Sequence, residues 1–295
     1  MISNTTAGRR PRISPLRYPG GKSALYGRLR QMIRDNELAG CTYVEPFAGG
    51  AGAGLGLLVT GQVSRVIIND LDPAIYAFWN TVVHDPGYLS QRVMKVPLND
   101  KEWQNQRETY MSAGQDHSDT RSLGFATLYL NRTNRSGILN AGPIGGHDQT
   151  GPYKIDARFN RSDLIERIRI LSLYADQINV TSLDGKDVIK KYASKRDVFI
   201  YADPPYFEKA GSLYLNTFTD EDHRELAKVL NDRSEKSWIL TYDVAPQVGI
   251  LYADRRRRVF ELNYSARDVR RASEVVVLSD KLRDVEHGWP LLPES

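Results

Sequence analysis

A strand that runs directly into a glycine turn and then a helix restricts the fold of this chain more than any other feature of its sequence. Thr42-Tyr43-Val44-Glu45-Pro46-Phe47 reads as the strand and Ala48-Gly49-Gly50-Ala51-Gly52-Ala53-Gly54 as the turn, which opens a small-residue helix reaching about residue 59. This is the first unit of a doubly wound, largely parallel sheet that binds a nucleotide beside its glycine turn. A second strand, Arg65-Val66-Ile67-Ile68-Asn69, ends on Asp70. An acid there is placed to hold ribose hydroxyls, and Asp70 or Asp72 is also placed to cap the helix that starts at Pro73. Neither phosphate-binding fingerprint is complete. Leu55 stands where the dinucleotide motif needs a third glycine after Gly50 and Gly52, and Leu16 where a phosphate loop ending in Gly21-Lys22-Ser23 needs its first. The expectation is a nucleoside site without a phosphate grip, suited to a cofactor carrying a sulfonium and an amino acid in place of pyrophosphate.

Val198-Phe199-Ile200-Tyr201-Ala202 is a β-branched and aromatic run suited to a buried parallel strand, and Pro204-Pro205 stops any ladder just after Asp203. Neither proline has a backbone N–H. The corner is therefore rich in acceptors, the Asp203 carboxylate and nearby carbonyls, and poor in donors, with the rings of Tyr206 and Phe207 beside it. That inventory suits a flat ring bearing an –NH₂ group, whose two hydrogens go to two acceptors while an aromatic ring stacks on the base. For the tetrapeptide alone a rigid turn is the plainer reading; the neighbouring motifs favour the functional one.

With 295 residues, 41% hydrophobic and 26% charged, the chain can build one large core and an inserted module. No run approaches the ~20 apolar residues of a membrane span, and the N-terminal stretch lacks the apolar centre of a signal peptide, so a cytoplasmic location is expected. Cys41 is the single cysteine, which excludes an internal disulfide and a thiolate zinc cluster, and its place before Tyr43-Val44 suggests a packed thiol. Five histidines lie without metal spacing, so no metal is expected. The net charge of +4 says little by itself. Its distribution says more, because Arg9, Arg10, Arg12 and Arg17 gather near the start and Arg255 to Arg258, Arg267, Arg270 and Arg271 near the end. Such clusters suit a polyanionic partner, with solvated surface arginines as the alternative.

After a helix over residues 73–83 the apolar periodicity weakens, and residues 85–119 are polar with anchors such as Trp103 and Tyr110, a shift that marks an insert. Apolar residues 123–130 then precede Asn131-Arg132-Thr133-Asn134-Arg135-Ser136-Gly137, a polar loop of amides and guanidiniums able to read base edges in a major groove. For Arg132 or Arg135 singly, a structural salt bridge is an equal reading. Helical spacing over 163–173 returns the chain to the sheet, where Ile178-Asn179-Val180-Thr181 is a strand, followed by Asp184 and a further helix. Residues 213–218 form a loop able to close over a site, and Thr219 with Asp222 caps the next helix. Ser237-Trp238-Ile239-Leu240-Thr241 is a strand. Arg258-Val259-Phe260-Glu261-Leu262 and Glu274-Val275-Val276-Val277-Leu278 form a hairpin whose loop holds Arg267, Arg270 and Arg271.

Taken in order, Arg17-Tyr18-Pro19-Gly20-Gly21-Lys22, Glu45-Pro46-Phe47-Ala48-Gly49-Gly50, Asn69-Asp70, Leu130-Asn131-Arg132, Asp203-Pro204-Pro205-Tyr206 and Phe218-Thr219 span most of the chain. In these motifs and their order the chain resembles the Dam-like, alpha-group adenine-N6 DNA methyltransferases. The resemblance implies an α/β fold, a Rossmann-like class I methyltransferase sheet with an inserted, mainly helical target-recognition module. The implied parts are 1–94 (cofactor-binding half), 95–175 (recognition insert) and 176–295 (catalytic half). It implies S-adenosylmethionine as cofactor, lined by Tyr18, Lys22, Glu45, Phe47, Gly49, Asp70 and Asp203, with Asp70 on the ribose and Asp203 where cofactor and target meet. It implies double-stranded DNA as partner, contacted by Arg17, Arg132, Asn134, Arg135, Arg267, Arg270 and Arg271, and leaves a cognate restriction endonuclease open as a second partner. Asp203, Pro204 and Tyr206 would be catalytic. The Asp203 carboxylate and the Pro204 carbonyl would accept both hydrogens of a flipped adenine's amine and localise its lone pair, while Tyr206 stacks on the base. Tyr18 stands where relatives often carry Trp, and Arg135 where an aromatic is common. The alternatives are methylation of another planar amine (cytosine N4, an RNA adenine or a glutamine side chain) and a DNA-binding relative without catalysis.

Overall fold

The structure is a computed structural model and describes residues 11–17, 22–112, 119–207, 218–233, 235–265 and 269–283; for residues 22, 23, 262–265 and 269–272 only the backbone is described. Five strands run parallel: β1 (Thr42–Glu45), β2 (Arg65–Asn69), β3 (Ile178–Thr181), β4 (Val198–Ala202) and β5 (Trp238–Asp243). A hairpin of β6 (Arg256–Ser265) and β7 (Val269–Leu278) completes the sheet in the order β3-β2-β1-β4-β5-β7-β6, with β7 antiparallel to both neighbours. From β1 the chain moves outward through β2 and β3, then returns to β1's other side for β4. The connections therefore diverge between β1 and β4, and the crevice this opens lies at the carboxyl ends of those strands.

Burial is nearly continuous along the central strands, as a sheet covered on both faces requires, and successive side chains enter opposite faces. Tyr43, Val66, Ile68, Phe199, Tyr201, Ile239 and Val276 enter one apolar core, and Val44, Ile67, Ile200, Ala202, Leu240 and Val275 the other. The first core is covered by α1 (Tyr26–Asp35), α2 (Gly52–Val59) and α3 (Pro73–His84). It continues without a break into α4 (Pro86–Lys95), α5 (Asp100–Met111), α6 (Thr120–Thr133) and α7 (Arg161–Ser172), whose Leu89, Trp103, Phe125 and Leu164 belong to the same cluster. On the second face lie α8 (Gly185–Ala193), α9 (Asp220–Asn231) and α10 (Pro246–Leu251).

The polar stretch after α3 thus folds as two helices despite its weak periodicity. Each starts at a side-chain cap, Asp85 accepting from the Tyr88 amide and Asn99 from the Glu102 amide. The hairpin is longer than its apolar residues suggest, and Arg270 and Arg271 lie within β7, paired with Tyr264 and Asn263, rather than in the loop; Arg267 lies outside the described residues. Part of the C-terminal arginine cluster is used internally. Arg255 donates to Asn231 Oδ1 at 2.9 Å, Arg256 to the Ser279 carbonyl at 2.7 Å and Arg257 to the Gly249 carbonyl at 2.6 Å. The Cys41 thiol is buried, and burial pushes it up to about 12. Among the described residues no helix is long and apolar enough to cross a membrane.

Helix α6 lies directly along α3, with Thr127 Oγ1 3.2 Å from the Ala74 carbonyl. The approach is possible because residue 124 is glycine: a Cβ there would stand 2.4 Å from Thr81 Oγ1 and 2.6 Å from the Ala77 carbonyl oxygen. Alanine would gain about 1 kcal/mol in helix propensity and lose about 1–3 kcal/mol by overpacking against backbone, which cannot yield. Gly124→Ala is expected to lower the urea midpoint, with the m-value unchanged.

Candidate active site

The carboxyl ends of β1, β2 and β3 are joined by one side chain. Asn69 is fully buried; its amide donates to the carbonyls of Pro46 (2.8 Å) and Leu183 (2.9 Å), and its oxygen accepts from the Leu183 amide and Thr181 Oγ1. The glycine turn is fastened to this frame. Ala48 donates to the Asn69 carbonyl, Trp79 Nε1 donates to the Gly49 carbonyl at 2.8 Å, and Gly49 donates to Asp70 Oδ2 at 2.8 Å. Gly49 and Ala51 both take left-handed backbone angles (φ 46 and 45), which turns the chain sharply into α2. Asp72, not Asp70, caps α3, accepting from Ala74. Asp70 keeps one edge in solvent while its carboxylate is enclosed; burial and the charge of Asp72 push it up to about 7, against the amides of Asp72 and Gly49.

Glu45, at the end of β1, is buried, with Gly54 donating to Oε1 at 3.1 Å. Burial pushes its carboxyl up to about 8 despite that hydrogen bond, and the charge of Asp203 adds to the rise. Phe47 packs edge-on against Phe218 (centroids 5.9 Å apart) and over the start of α8, where a Cβ on Gly185 would come within 2.5 Å of its ring. Lys22 enters a 3-10 turn (Lys22–Leu25) ahead of α1, and Tyr18 lies outside the described residues.

Across the crevice, Asp203 stands half-buried at the end of β4 and is held from β5. Thr241 Oγ1 donates to Asp203 Oδ1 at 2.8 Å, so the Tyr201 hydroxyl, 3.0 Å from Thr241 Oγ1, donates into it: a buried relay of hydroxyls ending on the carboxylate. Pro204 is buried and Tyr206 half-buried beside Asp203. The Tyr206 hydroxyl lies 3.2 Å from Asp203 Oδ1 and 2.8 Å from Oε1 of Glu274 on β7. Phe207 turns away from the crevice, its ring stacked on His223 (3.7 Å, 21°) and its amide 3.3 Å from Asp243 Oδ1. Among the described residues, Tyr206 is therefore the one that offers an aromatic face at the corner. Thr241 and Glu274 escaped the sequence reading because both sit inside apolar strand runs, where only pairing shows that they point at the crevice.

The insert supplies a correction. Arg132 and Asn134 are buried and turned inward. Arg132 Nε donates to the Pro15 carbonyl at 2.6 Å; Asn134 accepts from Trp103 Nε1 at 2.6 Å and donates to the carbonyls of Ile138 and Leu139. Asn134 has both amide atoms engaged and Arg132 spends Nε and Nη2 on the Pro15 carbonyl, so both are used to hold the fold rather than presented to a base edge. Asn131 pairs with both backbone groups of Arg17, accepting from its amide and donating to its carbonyl at 2.7 Å each. Arg135, which opens a turn with left-handed Ser136 and Gly137, is exposed. Arg17 is half-buried; its Nη1 is buried with no hydrogen-bond partner among the described residues, and burial together with the Arg158 charge lowers its pKa.

An acid at the end of the second strand and an acceptor-rich corner at the end of the fourth thus flank the crevice. Comparison with known proteins supplies the class: residues 18–266 match the D12 class N6 adenine-specific DNA methyltransferases. The chain belongs to this family. The Retron Ec67 DNA adenine methylase of Escherichia coli is 23% identical to it over 233 residues, 75% of this chain and 73% of the methylase. Among solved structures, the rRNA methyltransferase aviRa from Streptomyces viridochromogenes aligns with a TM-score of 0.40 and 14% identity over 88% of this chain and 85% of its own.

In this D12 methyltransferase the enclosed acids set a pH dependence. Unfolded, Glu45 and Asp70 lose their protons near 4.5 and 3.8; folded, near 8 and 7. Between those values the folded state binds more protons, so this contribution to stability falls as pH rises from about 4 to about 8 and then levels off. Thermal unfolding across that range is expected to show a Tm declining toward pH 8, and Glu45→Gln to remove part of the slope.

Proposed function

We propose that the enzyme transfers the methyl group of S-adenosylmethionine to the N6 amine of an adenine rotated out of double-stranded DNA, and that it does so in the cytoplasm. The residues present fit that cofactor. Asp70 faces the rim with hydrogen-bond capacity beyond the Gly49 and Asp72 amides, Phe47 offers an apolar wall, and the left-handed turn at Gly49 keeps a side chain off the crevice floor. Tyr18, Lys22, Glu45 and Asp203 complete the proposed lining. When bound, the cofactor supplies an electrophilic methyl on a sulfonium.

The acceptor-rich corner carries the reading. An adenine amine is a weak nucleophile because its lone pair is delocalised into the ring. The Asp203 carboxylate and the Pro204 carbonyl accept hydrogen bonds from its two N–H groups, favour a tetrahedral nitrogen and stabilise the positive charge that develops there. Thr241 fixes the carboxylate from behind, so little reorganisation is needed as charge appears. Tyr206 stacks on the base. Rotating a base out of the duplex costs a few kcal/mol, which phosphate contacts offset. Arg17, Arg135, Arg270 and Arg271 are the proposed contacts, together with Arg267. A phosphate at Arg17 would also relieve its repulsion with Arg158.

With labelled S-adenosylmethionine and duplex DNA, the wild type is expected to yield N6-methyladenine on nucleoside analysis. Asp203→Ala is expected to lower transfer by roughly 10²–10³-fold or more with its unfolding transition intact. Near wild-type transfer in that variant, or label on cytosine, RNA or protein instead, would refute the proposal. Arg135→Ala is expected to weaken DNA binding and to reduce the salt slope of log K by about 1, with cofactor affinity unchanged.

A further inference from the structure

The Tyr206 hydroxyl has one hydrogen and two carboxylates within reach, Glu274 Oε1 at 2.8 Å and Asp203 Oδ1 at 3.2 Å. Asp203 Oδ1 already accepts from Thr241 at 2.8 Å. The shorter contact takes the hydrogen. Glu274 is 1% exposed and lies directly opposite Asp243 in the β5–β7 ladder, at the carboxyl edge where β4 and β5 end. Its place on a rigid strand, outside the Asp203–Tyr206 segment, fixes Tyr206 from the opposite side to Asp203.

We infer that Glu274 is a positioning residue of this site: it draws the Tyr206 hydrogen to itself, orients the ring, and keeps that hydroxyl from competing with the amine of the target base for Asp203 Oδ1. This rests on the catalytic reading of Asp203 and Tyr206 proposed above. Without an acceptor at 274 the hydroxyl donates to Asp203 instead. It then occupies a lone pair the amine needs and withdraws negative charge from the atom facing the developing cation. Ground-state binding of DNA or cofactor does not depend on that choice, so the cost falls on the chemical step.

The test uses the full chain, labelled S-adenosylmethionine and unmethylated plasmid DNA. Glu274→Ala and Glu274→Asp, which withdraws the carboxylate by one methylene, are each expected to lower kcat by roughly 10- to 100-fold, the scale of one misplaced hydrogen bond, with KM for DNA within about twofold. Glu274→Gln, whose amide oxygen still accepts, restores most of kcat. In a Tyr206→Phe background Glu274→Ala has no further effect, because no hydrogen remains to redirect. If Glu274→Ala does not fold, the contrast between Asp and Gln at 274 decides. Wild-type kcat in Glu274→Asp, failure of Gln to rescue, or multiplying effects of Tyr206→Phe and Glu274→Ala would overturn the role of Glu274 even where Asp203→Ala is inactive. Activity retained in Asp203→Ala would overturn the underlying site instead.

Discussion

Parallel strands that end side by side leave their last amides and carbonyls without ladder partners, and at a covered crevice water cannot supply all of them. Asn69 meets this constraint for three strands at once. Its amide spends both donors and its acceptor on the turns after β1 and β3. The glycine turn, Asp70 and the loop before α8 take their positions from that frame, with Trp79 bracing the turn from α3. A site whose walls are built from backbone held in this way needs few adjustable side chains.

The same edge gathers acids. Glu45, Asp203 and Asp243 lie at or just beyond the ends of β1, β4 and β5, and Glu274 of β7 is paired opposite Asp243; burial and the charge of Asp203 push the Glu45 carboxyl up. Hydroxyls make the arrangement tolerable: Thr241 and Tyr206 donate to Asp203 and Glu274, and Tyr201 backs Thr241 from within the core. The prolines contribute by omission, since a backbone N–H at the corner would compete with an incoming amine for the same acceptors. A chain of rings, Phe47 to Phe218 to His223 to Phe207, connects the glycine-turn side of the crevice to this corner.

Asn131, Arg132 and Arg167 show why residue chemistry alone misleads in an insert. Amides and guanidiniums that could read bases are equally suited to backbone, and here they clasp residues 14–17, which precede Tyr18-Pro19-Gly20-Gly21-Lys22 in the sequence. Two stretches far apart in sequence are thereby one structural unit, with Gly137 admitting the Arg17 carbonyl where a Cβ would stand 2.8 Å away. The exposed Arg135 follows directly, so the nucleic-acid face proposed for the insert and the loop proposed for the cofactor share a support.

Local chemistry determined a good deal. The strand-turn-helix of residues 42–59, the strand of residues 198–202 stopped by Pro204-Pro205, and the Thr219–Asp222 capping box are set by periodicity, φ restriction and short-range hydrogen bonds, all of which act within a few residues and can be read from them. What only the tertiary structure decided is which polar groups face each other. Whether Arg132 points to solvent or to Pro15, whether Arg270 lies in a loop or a ladder, and whether Glu274 meets Tyr206 depend on strand order and register. A shift of one residue in register would send a side chain to the opposite face of the sheet, and no pattern within the strand itself records which partner it pairs with.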